Sequence, residues 1–297
     1  MRVTFNTTFR ESTDIIAHNA TELAARQREV SSGRRISTPS DDPSGTAAAI
    51  AERAEMAATD RYRQAADSVV SRLSVVDTAL SELGNQTSSA KVAAMSARGS
   101  TASATQREGA ANQIEGVRDA MLSALNTQFR GTYLFAGNEA ATRPFERTGD
   151  TVSDYQGGDK AIVVDIDRQT AVGVGIAGNS ITKGGDGEDL FAVLDKLIAA
   201  ARSGDGAALE SGMAALDRAS ARIASVQTRV GTDLADVDAH KQQLDTRHIG
   251  SLSRLSFLED ANLAESISAM TKAETAYRAA LGAVGSTQKL SLLDYLK

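Results

Sequence analysis

The sequence predicts a mainly α protein: a long antiparallel helical-bundle or coiled-coil rod with its N- and C-terminal helices paired and a small central β insertion. Three observations carry this expectation. Apolar residues recur at alternating spacings of four and three near both ends and along two longer inner stretches. Alanine and serine abound while aromatics make up only 4% of the 297 residues, so neighbouring helices must approach over small side chains rather than enclose one thick core. Between 138 and 187 the glycines crowd in and the helical period disappears.

A first helix is expected from Phe5, with a seam of Phe5, Phe9, Ser12, Ile16, Asn19, Leu23, Arg26 and Val30. So thin an apolar stripe is marginal alone in water, because helix nucleation is costly, and it needs a partner helix. The stretch from Ser31 to Ala48 then stops one helix and starts another. Gly33 suits the left-handed position that closes a helix, and Arg34 and Arg35 follow near its carbonyl end. Thr38-Pro39-Ser40 cannot continue a helix. Asp42 suits the cap of the next one, with Pro43 at its first position, where a missing amide costs nothing.

That second helix is expected from Pro43 to Arg98, on the order of 80 Å if continuous at about 1.5 Å per residue. Its seam is Tyr62, Ala66, Val69, Leu73, Val76, Leu80 and Leu83, continued by Thr87, Ala90, Ala94 and Ala97. A third helix is expected over Ala104 to Phe129, ending at Arg130-Gly131. In the insertion, Thr151 to Tyr155 and Ile162 to Ile166 read as a hairpin about a turn at 156–159, with a third strand at Ala171 to Ile176. Helix returns with Asp186 as its expected N-cap and runs to the Ser203–Gly206 break. The longest seam follows, from Leu209 through Leu216, Ile223, Val230, Val237 and Leu244 to Leu258. There the phase slips by one residue, and Leu263, Ile267, Met270, Glu274, Tyr277, Leu281 and Val284 form a fresh seam. Residues 5–30 are expected to pair with 263–284, and 62–83 with 209–258; the same seams are compatible with other pairings.

The function classes narrow by elimination. The net charge of −6 is interspersed and suggests no nucleic-acid surface, and no run reaches the roughly 18 apolar residues of a membrane span. The N-terminus lacks the apolar run and cleavage site of a Sec signal. With no cysteine, disulfides and thiolate metal sites are absent. Gly173 to Gly178 matches G-x-G-x-x-G, but the following 179–187 reads as a glycine-rich loop rather than the helix a dinucleotide needs. His240 and His248 are about 12 Å apart along a helix, too far to share a metal. His18 has no nucleophile beside it, and Asp186-Gly187-Glu188-Asp189 lacks the alternating oxygens of a calcium loop. No catalytic, cofactor or metal residue is therefore nominated, and no enzyme is expected.

The run S-S-G-R-R-I at Ser31–Ile36, followed by Asp41-Asp42-Pro43 between an amphipathic helix and an alanine-rich one, resembles the N-terminal signature of the flagellin superfamily. This family comprises secreted subunits of bacterial flagellar filaments together with the protein that joins filament to hook. Thr38-Pro39-Ser40, Tyr133–Gly137 followed by Pro144-Phe145, Asp189-Leu190-Phe191 and the closing Ser291–Leu296 are similar to the junction member; a minor filament flagellin is the alternative. The resemblance implies a structural protein, exported through the flagellar type III channel without a cleaved signal, and extracellular on the flagellum. It would form a homo-oligomeric ring beside a hook-associated adaptor protein and flagellin, meet an export chaperone before secretion, and order its terminal helices only on assembly. The domains expected are 1–40 with 259–297 for assembly, 41–137 with 188–258 as helical body, and 138–187 as β insertion. The expected assembly interface comprises Phe5, Phe9, Ile16, Leu23, Val30, Arg34, Arg35, Asp41, Asp42, Leu263, Ile267, Met270, Tyr277, Leu281, Leu292, Leu293, Tyr295 and Leu296.

Overall fold

The computed structural model describes residues 5–99, 102–184 and 187–295, and its architecture is mainly α. In chain order the elements are α1 (Phe5–Ser32), α2 (Pro43–Ala97), α3 (Ala104–Leu125), β1 (Gln128–Phe129), β2 (Thr132–Tyr133), β3 (Arg147–Thr148) and β4 (Thr151–Val152). There follow β5 (Val163–Asp165), β6 (Ala171–Gly173), α4 (Asn179–Thr182), α5 (Leu190–Ser203), α6 (Gly206–Glu259) and α7 (Leu263–Tyr295). The chain divides into two compact units, one of Met1–Ala58 with Thr246–Lys297 and one of Thr59–Asp245. α2 and α6 contribute to both.

In the Thr59–Asp245 unit, α2 and α6 run antiparallel. The expected α2 seam is the buried one: Ala66, Val69, Leu73, Val76, Leu80, Leu83, Thr87, Ala90, Ala94 and Ala97 are all nearly inaccessible. Facing it, Leu209, Met213, Leu216, Ile223, Val230, Val237 and Leu244 are buried on α6. Polar pairs flank the seam at matching steps: Lys91–Asp217 (2.6 Å), Asp67–Lys241 (2.7 Å), Arg63–Asp245 (2.7 Å) and Gln227 Nε2 to Asp77 (3.1 Å). Exposed pairs of this kind add little stability, and their regular spacing records the register.

α3 and α5 pack against one another and join the same buried core. α3 starts at a capping box in which Ser103 Oγ accepts from the Gln106 amide and the Gln106 side chain accepts from the Ser103 amide. It ends at Leu125, four residues before the expected Phe129. Residues 128–129 instead pair with 132–133 across the two-residue loop Arg130-Gly131, whose φ values of 49° and 80° suit a primed hairpin turn. Arg118, 4% exposed, ties α3 to α5 through Asp195 (2.7 Å) and also donates to the Asp150 carbonyl (2.5 Å).

The insertion is β-rich as expected, with different partners. β3 pairs β4, and β5 pairs β6, so 163–165 pairs with 171–173 rather than with 151–155. Gly149, at φ 66°, makes a turn tight enough for β4 to close on its immediate predecessor. Tyr155 is then free to pack its ring 5.5 Å from that of Phe145, and its hydroxyl donates to the carbonyls of Gly158 (2.9 Å) and Phe135 (3.1 Å). Burial pushes this phenol up to about 12. Arg72 reaches from α2 to the Val174 carbonyl (3.0 Å), Thr132 Oγ1 (2.9 Å) and the Tyr133 carbonyl (3.3 Å), holding the hairpins on the helix.

Two further expectations are corrected. The N-cap of α5 is Asp189, which accepts from the amides of Phe191 and Ala192; Asp186 lies outside the described residues. After Gly178 comes the single helical turn α4 rather than a loop, too short to form a phosphate site. The glycines there answer to packing: a Cβ on Gly175 would sit 2.7 Å from the Ile162 amide nitrogen, and one on Gly178 2.9 Å from the Phe145 ring.

Candidate assembly interface

In the Met1–Ala58 and Thr246–Lys297 unit, α1 packs along α7, as the paired seams led one to expect. On α1 the half-buried positions are Ser12, Ile16, Asn19, Leu23, Arg26 and Val30, with Ala20 and Glu29 beside them; from Arg10 to Ser32 no residue is fully buried. A seam of this kind matches the expected face and remains thin. On α7 the inward face is Ser266 and Ala273, buried, with Met270, Tyr277, Ala280 and Val284 half-buried. Three residues expected in that seam point outward: Leu263 is 51% exposed, Ile267 49% and Leu281 44%. The covered stripe runs 266, 270, 273, 277, 280 and 284, so Ser266, Ala273 and Ala280 alternate with Met270, Tyr277 and Val284, and small side chains stand where larger ones were expected and let α1 approach closely.

Phe5 and Phe9 lie in α1, and Leu292, Leu293 and Tyr295 in α7; Leu296 lies outside the described residues. Five exposed apolar residues described in this unit lie outside the expected seams: Ile15 on α1, Ile50 on α2, and Ile249, Leu252 and Phe257 on the end of α6, the last 88% exposed. Their signal was available, since each is a large apolar side chain off the seam of its helix.

The connector between α1 and α2 follows its cap chemistry closely. Gly33 adopts φ 67° and its amide closes α1 onto the Glu29 carbonyl at 2.9 Å. Asp42 Oδ1 accepts from the Gly45 amide (2.8 Å) and from Ser44, capping α2. Asp41 Oδ2 accepts from the amides of Thr38 (2.7 Å) and Ser37 (3.0 Å), and these bonds hold its carboxyl down at about 2. The bonds to Gly45 and Ser44, aided by Arg35 (3.3 Å), lower that of Asp42 as well. Arg34 and Arg35 turn toward the end of α6: Arg35 Nη2 donates to the Leu258 carbonyl (2.8 Å), and Arg34 lies 3.9 Å from Glu259. All four charged residues thus have partners within the chain. The phase slip beyond Leu258 is a real break, with α6 ending at Glu259 and α7 starting at Leu263.

Among the described residues no helix is long and apolar enough to cross a membrane, and no three His, Asp or Glu side chains are grouped to hold a metal. What this unit offers is a thinly packed helix pair with outward apolar residues.

The family model of the bacterial flagellin N-terminal helical region matches residues 5–140. Flagellar hook-associated protein 3 of Escherichia coli (strain K12) is 27% identical over 320 aligned positions that cover 100% of both chains. Among solved structures, a putative flagellar hook-associated protein from Vibrio parahaemolyticus superposes with a TM-score of 0.70 at 18% identity, covering 74% of this chain and 99% of that one. The flagellar junction protein FlgL from Legionella pneumophila superposes with a TM-score of 0.60 at 12% identity, covering 71% and 99%. Residues 5–140 thus resemble the helical region of bacterial flagellins, and along its whole length the chain is similar to flagellar hook-associated protein 3.

Proposed function

We propose that this chain is a structural subunit of the bacterial flagellum and forms the junction between hook and filament. The observation that carries the reading is the α1–α7 pair. α1 buries no residue fully between Arg10 and Ser32, and α7 turns Leu263, Ile267 and Leu281 outward, so the pair needs neighbours to complete its packing. The end-to-end similarity to hook-associated protein 3 supports the position in the flagellum.

In this reading, residues 1–40 and 259–297 act as the assembly domain, 41–137 with 188–258 as the helical body, and 138–187 as the β insertion carried on it. Copies form a ring between the hook-associated adaptor and the first flagellin subunits. The interface is built on Phe5, Phe9, Ile16, Leu23, Val30, Met270, Tyr277, Leu292, Leu293, Tyr295 and Leu296, with outward Leu263, Ile267 and Leu281 as its apolar contacts. Arg34, Arg35, Asp41 and Asp42 contribute by shaping the connector. The chain leaves the cell by the flagellar type III route, accompanied inside it by an export chaperone, and its terminal helices order as neighbours dock, coupling folding to binding. Its role is structural rather than catalytic.

Seeded polymerisation of the purified protein tests the assignment. A junction subunit added to hook-ended seeds should stop at a short cap, whereas growth of long filaments from this chain alone would identify it as a filament flagellin.

A further inference from the structure

The two breaks in the helical path of the Met1–Ala58 and Thr246–Lys297 unit meet each other. One lies between α1 and α2, the other between α6 and α7. Arg34 and Asp260 form an antiparallel bridge, in which the Arg35 amide donates to the Glu259 carbonyl (2.6 Å) and the Ala261 amide to the Gly33 carbonyl (2.9 Å). Beneath the bridge the Glu259 side chain is only 7% exposed; Arg53 of α2 holds it at 2.7 Å. Above it, Ser266 at the start of α7 donates to Glu29 near the end of α1 at 2.8 Å. Peptide groups at two helix ends, which ordinarily lose their partners, thus satisfy one another across more than two hundred residues of sequence.

We infer that this clasp is the root from which α1 and α7 pair, with Glu259 as its positioning residue. The seam above it buries only the small Ser266 and Ala273 on α7 and nothing fully on α1 from Arg10 to Ser32, too little to gather two separate chain ends unaided. Fixing the last turn of α1 beside the first turn of α7 closes the long loop at a single point. Each further contact then closes only the few residues beyond the previous one, at small entropic cost. The buried carboxylate favours the closed clasp, because Arg53 of α2 fixes Glu259 at the end of α6, where its side chain faces Arg34 at 3.9 Å and its carbonyl receives the Arg35 amide. The inference holds for any position in the flagellum, so its failure and that of the junction assignment are distinguishable.

The chain has no cysteine, which permits a direct test in the full-length protein. Arg34 and Asp260 are opposed without exchanging hydrogen bonds themselves, an arrangement that sets Cα atoms about 4.5 Å apart, within disulfide reach. In the Arg34→Cys/Asp260→Cys protein, oxidation by diamide should form one disulfide and slow amide exchange at least fivefold over both 16–30 and 266–280. Exchange in α3 and α5 should stay unchanged, and dithiothreitol should reverse the effect. Adding Glu259→Gln should slow formation of that disulfide at least fivefold, since the thiols would no longer be held together. Failure of the bond to form, slowing in neither or only one terminal segment, lost protection in α3 and α5, or an unchanged rate with Glu259→Gln would each overturn the inference.

Discussion

A chain shortened to residues 41–258 is expected to remain folded and to be absent from flagella. Every member of the contiguous buried core lies between Ala66 and Val237, so removing both termini leaves that core whole. The described buried residues of the other unit are few and largely small or polar, with Ile36, Ala49, Ala273, Ser251, Glu259 and Ser266 among them. Loss of such a set should move the cooperative melting of the remaining body by only a few degrees. Incorporation, by contrast, should fall to background, because the seams that neighbours would complete are gone. Circular dichroism of the purified fragment and blotting of sheared flagella read the two halves separately. Undiminished incorporation of the fragment would contradict the assignment of the terminal helices to assembly.

The largest single-site effect on stability is expected at Gly137. Its φ of 59° disfavours any side chain, and an added Cβ would fall 1.8 Å from the carbonyl oxygen of Gly158. That oxygen accepts from Tyr155, while the Gly158 amide donates to Ala136 and the Gly137 amide to Ile176, so the backbone cannot withdraw without releasing several bonds. Gly137→Ala should therefore cost about 3–5 kcal/mol in denaturant unfolding of the full chain. Gly131, at φ 80° with nothing within 4 Å of where a methyl group would stand, isolates the backbone term. Gly131→Ala should cost about 1 kcal/mol. Equal losses at the two glycines would show that close approach of the Gly137 and Gly158 backbones is not what holds the insertion.

These expectations draw on features that differ in how far the sequence reveals them. The α2 and α6 seams are legible residue by residue, because a heptad of large apolar side chains in a long helix has one face to bury and little choice about it. The connector is legible for the same kind of reason: Gly33, Asp42 and Pro43 act on their own backbone neighbours. The face of α7 departs from expectation in half of its members: Met270, Tyr277 and Val284 are covered as the seam implies, while the small Ser266, Ala273 and Ala280 alternate with them and Leu263, Ile267 and Leu281 are left exposed. Strand pairing fails to show where it depends on turn geometry, as at Gly149 and at Arg130-Gly131. The partners of Arg34 and Arg35 lie on the far break of the chain, and no local pattern announces a contact with Leu258 or Glu259.

The central claim, that the chain joins filament to hook, is tested most directly on the cell. Deleting its gene and imaging the surface by electron microscopy should show complete hooks bearing no filament, with flagellin shed into the medium. Filaments of normal or merely reduced length on those hooks would contradict it.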